Sequence, residues 1–258
     1  MTRKSLFHFA LVGLLWGIPY LLMKVAVEDF PPAAVVAGRT LIGASILIPI
    51  AIYRKKFGGA VLGFKYVAFY ALMEMIGPWI LITTAEQKIN SGLAGLLVST
   101  VPIFATIITS LRGDHSVWEF KRIFGIVVGF IGLILVVGIE SLSGNSDPLS
   151  IAMVIVASMG YAYAVIMVTS NLPLVDGIAI NGLAMAITSV FWAPVAIAQW
   201  PSSISMNSAL SLLALGVFST AIAFILFFKV MAEIGPARSS LVTYLNTAIA
   251  VLLGVIIL

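Results

Sequence analysis

Nine apolar runs, each long enough to cross a lipid bilayer, occupy most of this chain of 258 residues. A transmembrane helix needs about 20 mostly apolar residues. We predict such helices, called here the first to the ninth span, at residues 6–27, 32–53, 66–86, 91–111, 120–139, 149–169, 177–199, 207–232 and 238–258. The segments between them carry charges, prolines and glycines, and each is too short to fold as a soluble domain. The sequence therefore predicts an all-α polytopic membrane protein.

The composition limits the classes of function. Hydrophobic residues make up 61% of the chain and charged residues 9%, whereas a soluble domain has about 25% charged residues. The net charge of +4 does not indicate a nucleic-acid partner, because the basic residues lie between the apolar runs and not on one face. Without cysteine, and with His8 and His115 far apart, the chain is expected to bind no metal. No GxxxxGK[ST] loop occurs, so ATP is not expected to drive this chain directly, and we predict no cofactor.

The distribution of lysine and arginine predicts the orientation in the membrane. The N-terminal apolar run is of spanning length and no A-x-A site follows it, which favours an uncleaved first span. Cytoplasmic loops are rich in lysine and arginine. A cytoplasmic N-terminus places on the inside Arg3, Lys4, Arg54, Lys55, Lys56, Lys65, Arg112, Lys121, Arg122, Lys229 and Arg238. Only Lys88 and Lys24 then lie near the outside, so we predict a cytoplasmic N-terminus.

The two halves of the chain show a weak internal repeat. The segment from Ile89 aligns with the segment from Ile234 at an offset of 145 residues, and the first span aligns with the sixth at 143. Five spans per repeat would insert the second copy upside down, as in many secondary transporters. We predict inverted repeats at 1–143 and 144–258. The partner of the fifth span would begin near residue 265, so a tenth helix is expected to be missing from this chain.

Arg39 and Glu74 are charged residues inside predicted spans. By helical rise, Arg39 lies about 10 Å below the outer end of the second span, and Glu74 about 12 Å above the inner end of the third. A charge that faces lipid costs at least roughly 2.5–3.5 kcal/mol, so such residues face the bundle interior. Two interpretations stay open. One is structural, either a buried salt bridge between the two residues or an arginine that snorkels to the headgroups. The other is a pair of cavity charges that contact substrate or gate its path.

Aromatic and polar residues complete the candidate cavity. Trp16, Tyr20 and Lys24 form one helical stripe, from which Lys24 is expected to extend outward. Tyr161 is assigned to the opposite face of the sixth span from Tyr163, because residues i and i+2 point apart. The predicted substrate-binding residues are Trp16, Tyr20, Arg39, Glu74, Trp79, Ser99, Tyr163, Asn181, Tyr244 and Asn246. The alternative for the aromatic and hydroxyl residues is helix packing.

Five prolines lie inside predicted spans and are expected to kink them. Pro49 and Pro194 are interpreted as simple bends. For Pro19, Pro78 and Pro102, each beside an aromatic or hydroxyl residue, a hinge or cavity-lining role is as favoured as a bend.

Several loose motifs in a fixed order resemble a known family. They are Trp16-Gly17 with Lys24, Pro32 with Arg39, AGLLVSTVPIFATI from Ala94 to Ile107, and RxxGxxxGxxGLIL from Arg122 to Leu135. This pattern resembles the EamA-type members of the drug/metabolite transporter superfamily. The resemblance implies a ten-helix inner-membrane exporter that works by alternating access. It also implies a central cavity lined by the first four helices of each half, with the fifth and tenth packed apart. Many members have a Glu-Pro pair in the ninth span, where this chain has Asn246-Thr247.

The sequence and the resemblance together predict a secondary transporter in the bacterial inner membrane, and not an enzyme. The expected substrate is an aromatic or other neutral amino acid, or a similar small amphipathic metabolite. The protein is expected to work as a monomer in the lipid bilayer. An exporter of other drugs or metabolites of the same superfamily is the first alternative. A passive channel and an intramembrane enzyme are weaker ones, since no serine–histidine pair or carboxylate pair suggests an active site.

Overall fold

A computed structural model describes residues 3–137, 147–234, 239 and 241–257. Every regular element among these residues is helical, which confirms the predicted all-α fold. Within this part of the chain, seven helices are long and apolar enough to cross a membrane: Ser5–Ala26, Pro32–Tyr53, Phe64–Ala85, Gly92–Leu111, Pro148–Asn171, Gly177–Ala198 and Met206–Ile234. The shorter helices Phe120–Val137 and Val242–Ile257 occupy the predicted fifth and ninth spans, whose far ends lie outside the described residues.

Three of the intramembrane prolines lie where a helix is interrupted. The first span is two helices, Arg3–Gly17 and Pro19–Ala26, and the fourth is two, Ser91–Val98 and Val101–Leu111. Pro19 is the first residue and Pro102 the second residue of the later helix in its pair, because proline lacks the N–H that would continue the hydrogen-bond ladder. Pro78 follows a π-helical segment, Leu72–Ile76, in the third span. Pro49 and Pro194, in contrast, lie inside continuous helices.

The eighth span has its own π-helical segment. Met206–Ala214 leads into the π segment Leu215–Ile222, and Ala223–Ile234 completes the span. Two short helices lie outside the spans, Phe57–Leu62 before the third span and the 3₁₀ turn His115–Trp118 before the fifth. π segments are rare and are often found at functional sites.

Polar side chains fix where several spans begin. Asn90 accepts a hydrogen bond from the Leu93 backbone N–H at 2.7 Å, and Asp147 accepts one from that of Ser150 at 3.0 Å. Asp176 caps the seventh span through the N–H of Ile178 at 3.0 Å. Such caps satisfy backbone N–H groups that have no partner within the helix. The loop residues therefore set the helix ends that the hydropathy pattern located only within a few residues.

The second and seventh spans form the central pair of the bundle. Gly43 of the second span faces Met185, and Gly182 of the seventh faces Leu47. The residue numbers run in opposite directions along the contact, so the two helices are antiparallel. A Cβ on Gly43 would lie 2.6 Å from the Met185 sulfur, and glycine is therefore what permits this close approach.

The remaining spans pack around this pair in a regular pattern. The first span contacts the eighth and ninth, and the sixth contacts the third and fourth. The second span also contacts the eighth, and the seventh contacts the third. Each of these contacts has a counterpart in the other half. The contact of the first span with the eighth corresponds to that of the sixth with the third, and first–ninth corresponds to sixth–fourth. The contact of the second span with the eighth corresponds in the same way to that of the seventh with the third. This symmetry is consistent with the predicted repeats, 1–143 and 144–258, which stay a prediction.

Candidate functional site

A cavity of about 1630 Å³ lies between the two halves of the bundle. Residues from the first to the ninth span line its wall, so the site belongs to the bundle as a whole and not to one helix. Eight of the ten predicted substrate-binding residues line it: Trp16, Tyr20, Arg39, Glu74, Trp79, Asn181, Tyr244 and Asn246. The prolines Pro19 and Pro102 line it as well.

The two ends of the cavity differ. At one end its wall includes Arg54, Lys121 and Lys229, all of which are exposed, so the cavity reaches the surface there. We call this the basic end. At the opposite end the wall stops at Met23 and Ile82, each only 4% exposed.

The closed end is an apolar cluster reinforced by polar links between spans. Phe30, Val35 and Ile89 belong to a buried cluster that also contains Met23 and Ile82. Lys24 donates a hydrogen bond to the backbone carbonyl of Glu86, at the end of the third span, at 2.7 Å. The Lys24 side chain is thus tied to a helix C-terminus, where a cation is favoured, and its extension toward the outside stays a prediction.

A second link at the closed end joins the first span to the eighth. Asp29 accepts a hydrogen bond from the Ser205 backbone N–H at 2.9 Å, and the Ser208 hydroxyl donates to the carbonyl of Val25 at 3.1 Å. Hydrogen bonds from the Ser205 side chain and backbone stabilise the charged form and hold the pKa of the Asp29 carboxyl below its usual range.

Arg39 lies just beneath this closed end and is 6% exposed. Its guanidinium carbon lies 3.9 Å from the centre of the Trp79 ring, a cation–π arrangement. Its Nε and Nη2 donate to the Thr220 hydroxyl at 3.3 and 3.1 Å, and Nη1 approaches the Met23 sulfur at 3.7 Å. One side chain of the second span thus contacts the third, eighth and first spans.

Glu74 faces the cavity from the π-helical segment of the third span. Its Oε2 atom is buried and has no hydrogen-bond partner among the described residues. One turn earlier, the Tyr70 hydroxyl donates to Asn181 Oδ1 at 3.1 Å, while Asn181 Nδ2 donates to the carbonyl of Gly177 at 3.0 Å.

Arg39 and Glu74 do not form a salt bridge. Ion pairs within the described part of the chain join Arg54 to Asp176, at 3.4 Å, and Lys88 to Asp147, at 3.6 Å. The interpretation of Arg39 and Glu74 as a structural pair is therefore wrong, and so is that of a snorkelling arginine, because the guanidinium is bound inside the bundle. The physical reason is that Trp79 and Thr220 hold the guanidinium on the side of the closed end.

Aromatic rings form the apolar part of the cavity wall. Trp16 packs against Phe224 and Phe227, with ring centres 5.5 and 4.7 Å apart. Tyr20 and Tyr161 line the wall from the first and sixth spans. The cavity therefore combines aromatic faces with two charged groups and an amide, a mixture typical of sites for small organic molecules.

The sequence profile of the EamA-like transporter family matches this chain at residues 3–138 and 148–258. The chain belongs to the EamA-like transporter family. It is a multi-pass membrane protein of a transporter family, which points away from an enzyme. Within the described residues, no group of three histidine, aspartate or glutamate side chains could hold a metal ion.

The chain is also similar to several known proteins over most of their length. The chain is 27% identical over 252 residues to the uncharacterized transporter YoaV of Bacillus subtilis, covering 94% of this chain and 85% of the relative. It is 26% identical over 245 residues to the uncharacterized inner membrane transporter YedA of Escherichia coli, covering 93% and 78%. It is 28% identical over 256 residues to the protein PagO of Salmonella typhimurium, covering 94% and 81%.

A solved crystal structure has the same fold. It superposes with a TM-score of 0.72 at 16% identity, covering 99% of this chain and 88% of that one. At this identity the likeness shows the fold alone. The shared fold extends over nearly all of this chain.

The structure places two predicted site residues of this EamA-like transporter outside the cavity. Ser99 faces the ninth span, where its Oγ lies 2.6 Å from the Thr247 Oγ1. Tyr163 is 40% exposed and packs edge-on against Phe69, with ring centres 5.9 Å apart. Pro78, predicted as a hinge or lining residue, is buried beside Gly160 of the sixth span and does not line the cavity.

Tyr161 and not Tyr163 lines the cavity, so the sixth span was assigned the wrong face. The repeat alignment matched Tyr20 to Tyr163 by residue type, but it did not fix the helical phase. Large exposed side chains at Val156, Met159 and Tyr163 are spaced i, i+3 and i+7 and therefore share one outward face. The sequence shows the spacing of these residues but not which face of the helix is exposed, so it could not identify Tyr161 by itself.

The fifth span also departs from what the family resemblance implied. It was expected to pack apart from the cavity, yet Lys121, Gly125 and Gly129 line the wall. Gly129 receives the ring of Tyr244, and a Cβ there would lie 3.2 Å from two ring carbons. The Tyr244 hydroxyl is buried without a hydrogen-bond partner among the described residues. The glycine ridge of this span thus brings it against the ninth span, beside the cavity.

Proposed function

We propose that this EamA-like transporter exports neutral amino acids, aromatic or other, or similar small amphipathic metabolites by alternating access through the central cavity. The observation that carries the proposal is the difference between the two ends of the cavity. Its wall is exposed at Arg54 and Lys121 and buried at Met23 and Ile82. A cavity that is open at one end only is one of the two states that an alternating-access carrier needs.

The basic end is proposed to face the cytoplasm, with the N-terminus on the same side. Cytoplasmic ends of membrane proteins are rich in lysine and arginine, and Arg3, Arg54 and Lys121 all belong to this end. In this orientation the cavity is inward-facing. An exporter in that state can take up its substrate directly from the cytosol of a bacterial cell.

The predicted inverted repeats support a rocking mechanism. The family profile matches each half of the chain, and the two central spans run antiparallel where Gly43 faces Met185 and Gly182 faces Leu47. In transporters built this way, one half moves against the other around a site at mid-depth. The interruptions at Pro19, Pro78 and Pro102 are proposed as hinges, since a broken hydrogen-bond ladder bends at low cost.

The chemistry of the wall supports the substrate class. Trp16, Tyr20 and Tyr161 offer faces and edges on which an apolar ring can pack. Arg39, Glu74 and Asn181 offer charged and amide groups for a polar end. The order of the sequence motifs also resembles the bacterial aromatic amino-acid exporter YddG, which suggests aromatic amino acids first.

Flux into proteoliposomes tests the proposal. The purified protein is reconstituted into lipid vesicles at an average of one monomer per vesicle. Uptake of labelled phenylalanine, threonine and a sugar phosphate into these vesicles is then measured. Saturable uptake of phenylalanine or threonine, with none of the sugar phosphate, is the expected result. Saturable uptake of the sugar phosphate alone would favour an exporter of other metabolites, and no saturable flux of any of the three would defeat the amino-acid proposal.

A further inference from the structure

We propose that Arg39 and Glu74 bind opposite charges of one zwitterionic substrate, Arg39 its carboxylate and Glu74 its ammonium group. This inference rests on the proposed export through the cavity and specifies how the substrate is oriented there. It follows from the two charges without a counter-charge among the described residues, from their place in one cavity wall, and from the other charges of that wall.

Arg39 is a buried cation without a counter-charge from the described residues. A guanidinium has five N–H donors. Those of Arg39 reach the Thr220 hydroxyl, through Nε and Nη2, and the Met23 sulfur, which is a weak acceptor. Two donors are left over, one on each terminal nitrogen. A planar carboxylate fits such a pair of N–H groups well.

Glu74 likewise has no group of opposite charge bound to it among the described residues. Its Oε2 is buried at the cavity wall and accepts no hydrogen bond from a described residue. A buried charge without a partner is costly, so proteins pair such groups or leave them for a ligand. An ammonium group brings both the opposite charge and three N–H donors.

Arg39 and Glu74 reach the same cavity at different positions along the third span. Glu74 and Trp79 lie five residues apart on the third span, which is about 7 Å along the helix axis. The Arg39 guanidinium lies 3.9 Å from the Trp79 ring, so Arg39 contacts the third span more than one helical turn beyond Glu74. The amino nitrogen and the carboxyl carbon of an α-amino acid are about 2.5 Å apart. With a hydrogen bond of about 2.8 Å at each end, the substrate reaches across roughly 8 Å.

The remaining charged groups of the wall cannot serve the same purpose. Within the described chain they are Arg54, Asp176, Lys121 and Lys229, and all four lie at the basic end. Arg54 and Asp176 pair with each other at 3.4 Å, while Lys121 and Lys229 are exposed to solvent. Arg39 and Glu74 are therefore the two charges that a substrate meets in the deep part of the cavity.

The rings beside these charges complete the site. Tyr20 and Tyr161 line the wall near Arg39, and Trp16 with Phe227 forms an aromatic wall on the first and eighth spans. A substrate held at both charged groups can place an apolar side chain against these rings. Recognition of the two charges would then be common to all substrates, and the rings would decide which side chains are accepted.

Competition with three matched ligands tests the assignment. Phenylalanine carries both charges, phenylalanine amide keeps only the ammonium group, and N-acetylphenylalanine keeps only the carboxylate. Each is used to displace labelled phenylalanine from the purified wild-type protein. Phenylalanine is expected to bind roughly 10- to 100-fold more tightly than either analogue, the range for one charge-assisted hydrogen-bonded contact.

The variants separate the two ends of the substrate. Glu74→Gln should weaken phenylalanine and the amide by that factor and leave N-acetylphenylalanine unchanged. Arg39→Gln should weaken phenylalanine and the N-acetyl compound and leave the amide unchanged. Glu28→Gln and Arg112→Gln are the matched controls, because both residues are exposed and lie outside the cavity wall. They should leave all three affinities unaltered.

The failure of the proposed function and the failure of the charge assignment give different experimental results. If the wild-type protein carries no amino acid, the proposed function fails and the zwitterion site falls with it. If it carries phenylalanine but Glu74→Gln lowers the affinity for all three ligands by the same factor, only the charge assignment is overturned. Should Arg39→Gln fail to fold, Arg39→Lys replaces it. That variant keeps the cation but loses the planar fork, and it should weaken phenylalanine and the N-acetyl compound more than the amide.

Discussion

Arg39 of the second span lies with its guanidinium 3.9 Å from the centre of the Trp79 ring of the third span. The same group donates to Thr220 of the eighth span and approaches Met23 of the first. Four spans therefore meet at one charged side chain, directly under the closed end of the cavity. A carboxylate that binds the two remaining N–H donors of Arg39 would lie directly beneath the closed end, so substrate binding and opening can be coupled at Arg39.

Removing the acceptor for Arg39 should loosen the closed end. Thr220→Val keeps the shape of the side chain but removes the hydroxyl that accepts two N–H bonds from Arg39. The chain has no cysteine, so a single cysteine placed at Ile82 reports on this end without background. We expect faster labelling of Ile82→Cys by a water-soluble thiol reagent in the Thr220→Val background. Thr169→Val, on an exposed part of the sixth span, is the control and should not change the rate.

Lys24 should stabilise the same end through the third span. Its ammonium group donates to the carbonyl of Glu86 at 2.7 Å, and a cation at a helix C-terminus contributes about 0.3–1 kcal/mol. We expect Lys24→Gln to lower the Tm of the detergent-solubilised protein slightly and to raise the labelling of Ile82→Cys. Lys55→Gln, at an exposed position of the basic end, serves as control. An unchanged labelling rate in Lys24→Gln would show that the Glu86 contact does not hold the closed end.

The Asp29–Ser205 contact predicts a dependence of stability on pH. The pKa of Asp29 in the folded protein lies below its usual range because Ser205 donates hydrogen bonds to the charged form. A depressed pKa means that the contact stabilises the fold at neutral pH, and that this contribution is lost as the pH falls through the folded pKa. The Tm of the wild type should exceed that of Asp29→Asn at neutral pH, and the difference should begin to shrink below a pH of about 4 and vanish only below the folded pKa. A difference that is independent of pH would contradict this assignment.

The contact between the fourth and ninth spans should act as packing and not as a substrate site. The hydroxyls of Ser99 and Thr247 lie 2.6 Å apart and are buried. A double-mutant cycle with Ser99→Ala and Thr247→Val is expected to give a coupling energy of about 0.6 kcal/mol in unfolding, the average for such bonds in membranes. Neither variant should alter the affinity for phenylalanine. A selective loss of affinity in Ser99→Ala would instead return Ser99 to the substrate site.

Filling the glycine under Tyr244 should impair transport. A Cβ at Gly129 would lie 3.2 Å from the Tyr244 ring, so Gly129→Leu has to displace the ring toward the cavity. We expect a lower rate of phenylalanine uptake with little change in expression. Gly132→Leu is the matched control, because nothing lies within 4 Å of a Cβ at that position. Equal uptake by both variants would show that the position of Tyr244 does not matter.

The sequence predicted the features of this fold that follow from the exclusion of polar and charged groups from lipid. Runs of apolar residues located the spans, because lipid tolerates little else. The cost of a charge in lipid was enough to predict that Arg39 and Glu74 face the bundle interior, and both line the cavity. Their lack of a mutual ion pair was not predictable, since it depends on Trp79 and Thr220, which approach Arg39 only in the assembled bundle.

Helical phase was the main point at which sequence reasoning failed. Tyr163 was placed in the cavity by a weak repeat alignment, and Tyr161 on the outside, although the structure has them reversed. Tyr161 and Tyr163 are two residues apart and lie on different faces of the helix. Which of the two faces is outward depends on the packing of the whole span. Interruptions such as Ile18 and the π segment Leu72–Ile76 shift the phase within a span, and their extent depends on tertiary packing.

Access to one cysteine from each side of the membrane tests the central claim most directly. Ala105 lines the cavity, and Ala105→Cys would be the single thiol of the chain. Membrane-impermeant thiol reagent is applied to inside-out and right-side-out vesicles, with and without phenylalanine on the cytoplasmic side. The account predicts labelling from the cytoplasmic side alone in the absence of substrate, and additional labelling from the outer side when substrate is present. Equal labelling from both sides at all times, or labelling from neither, would contradict it.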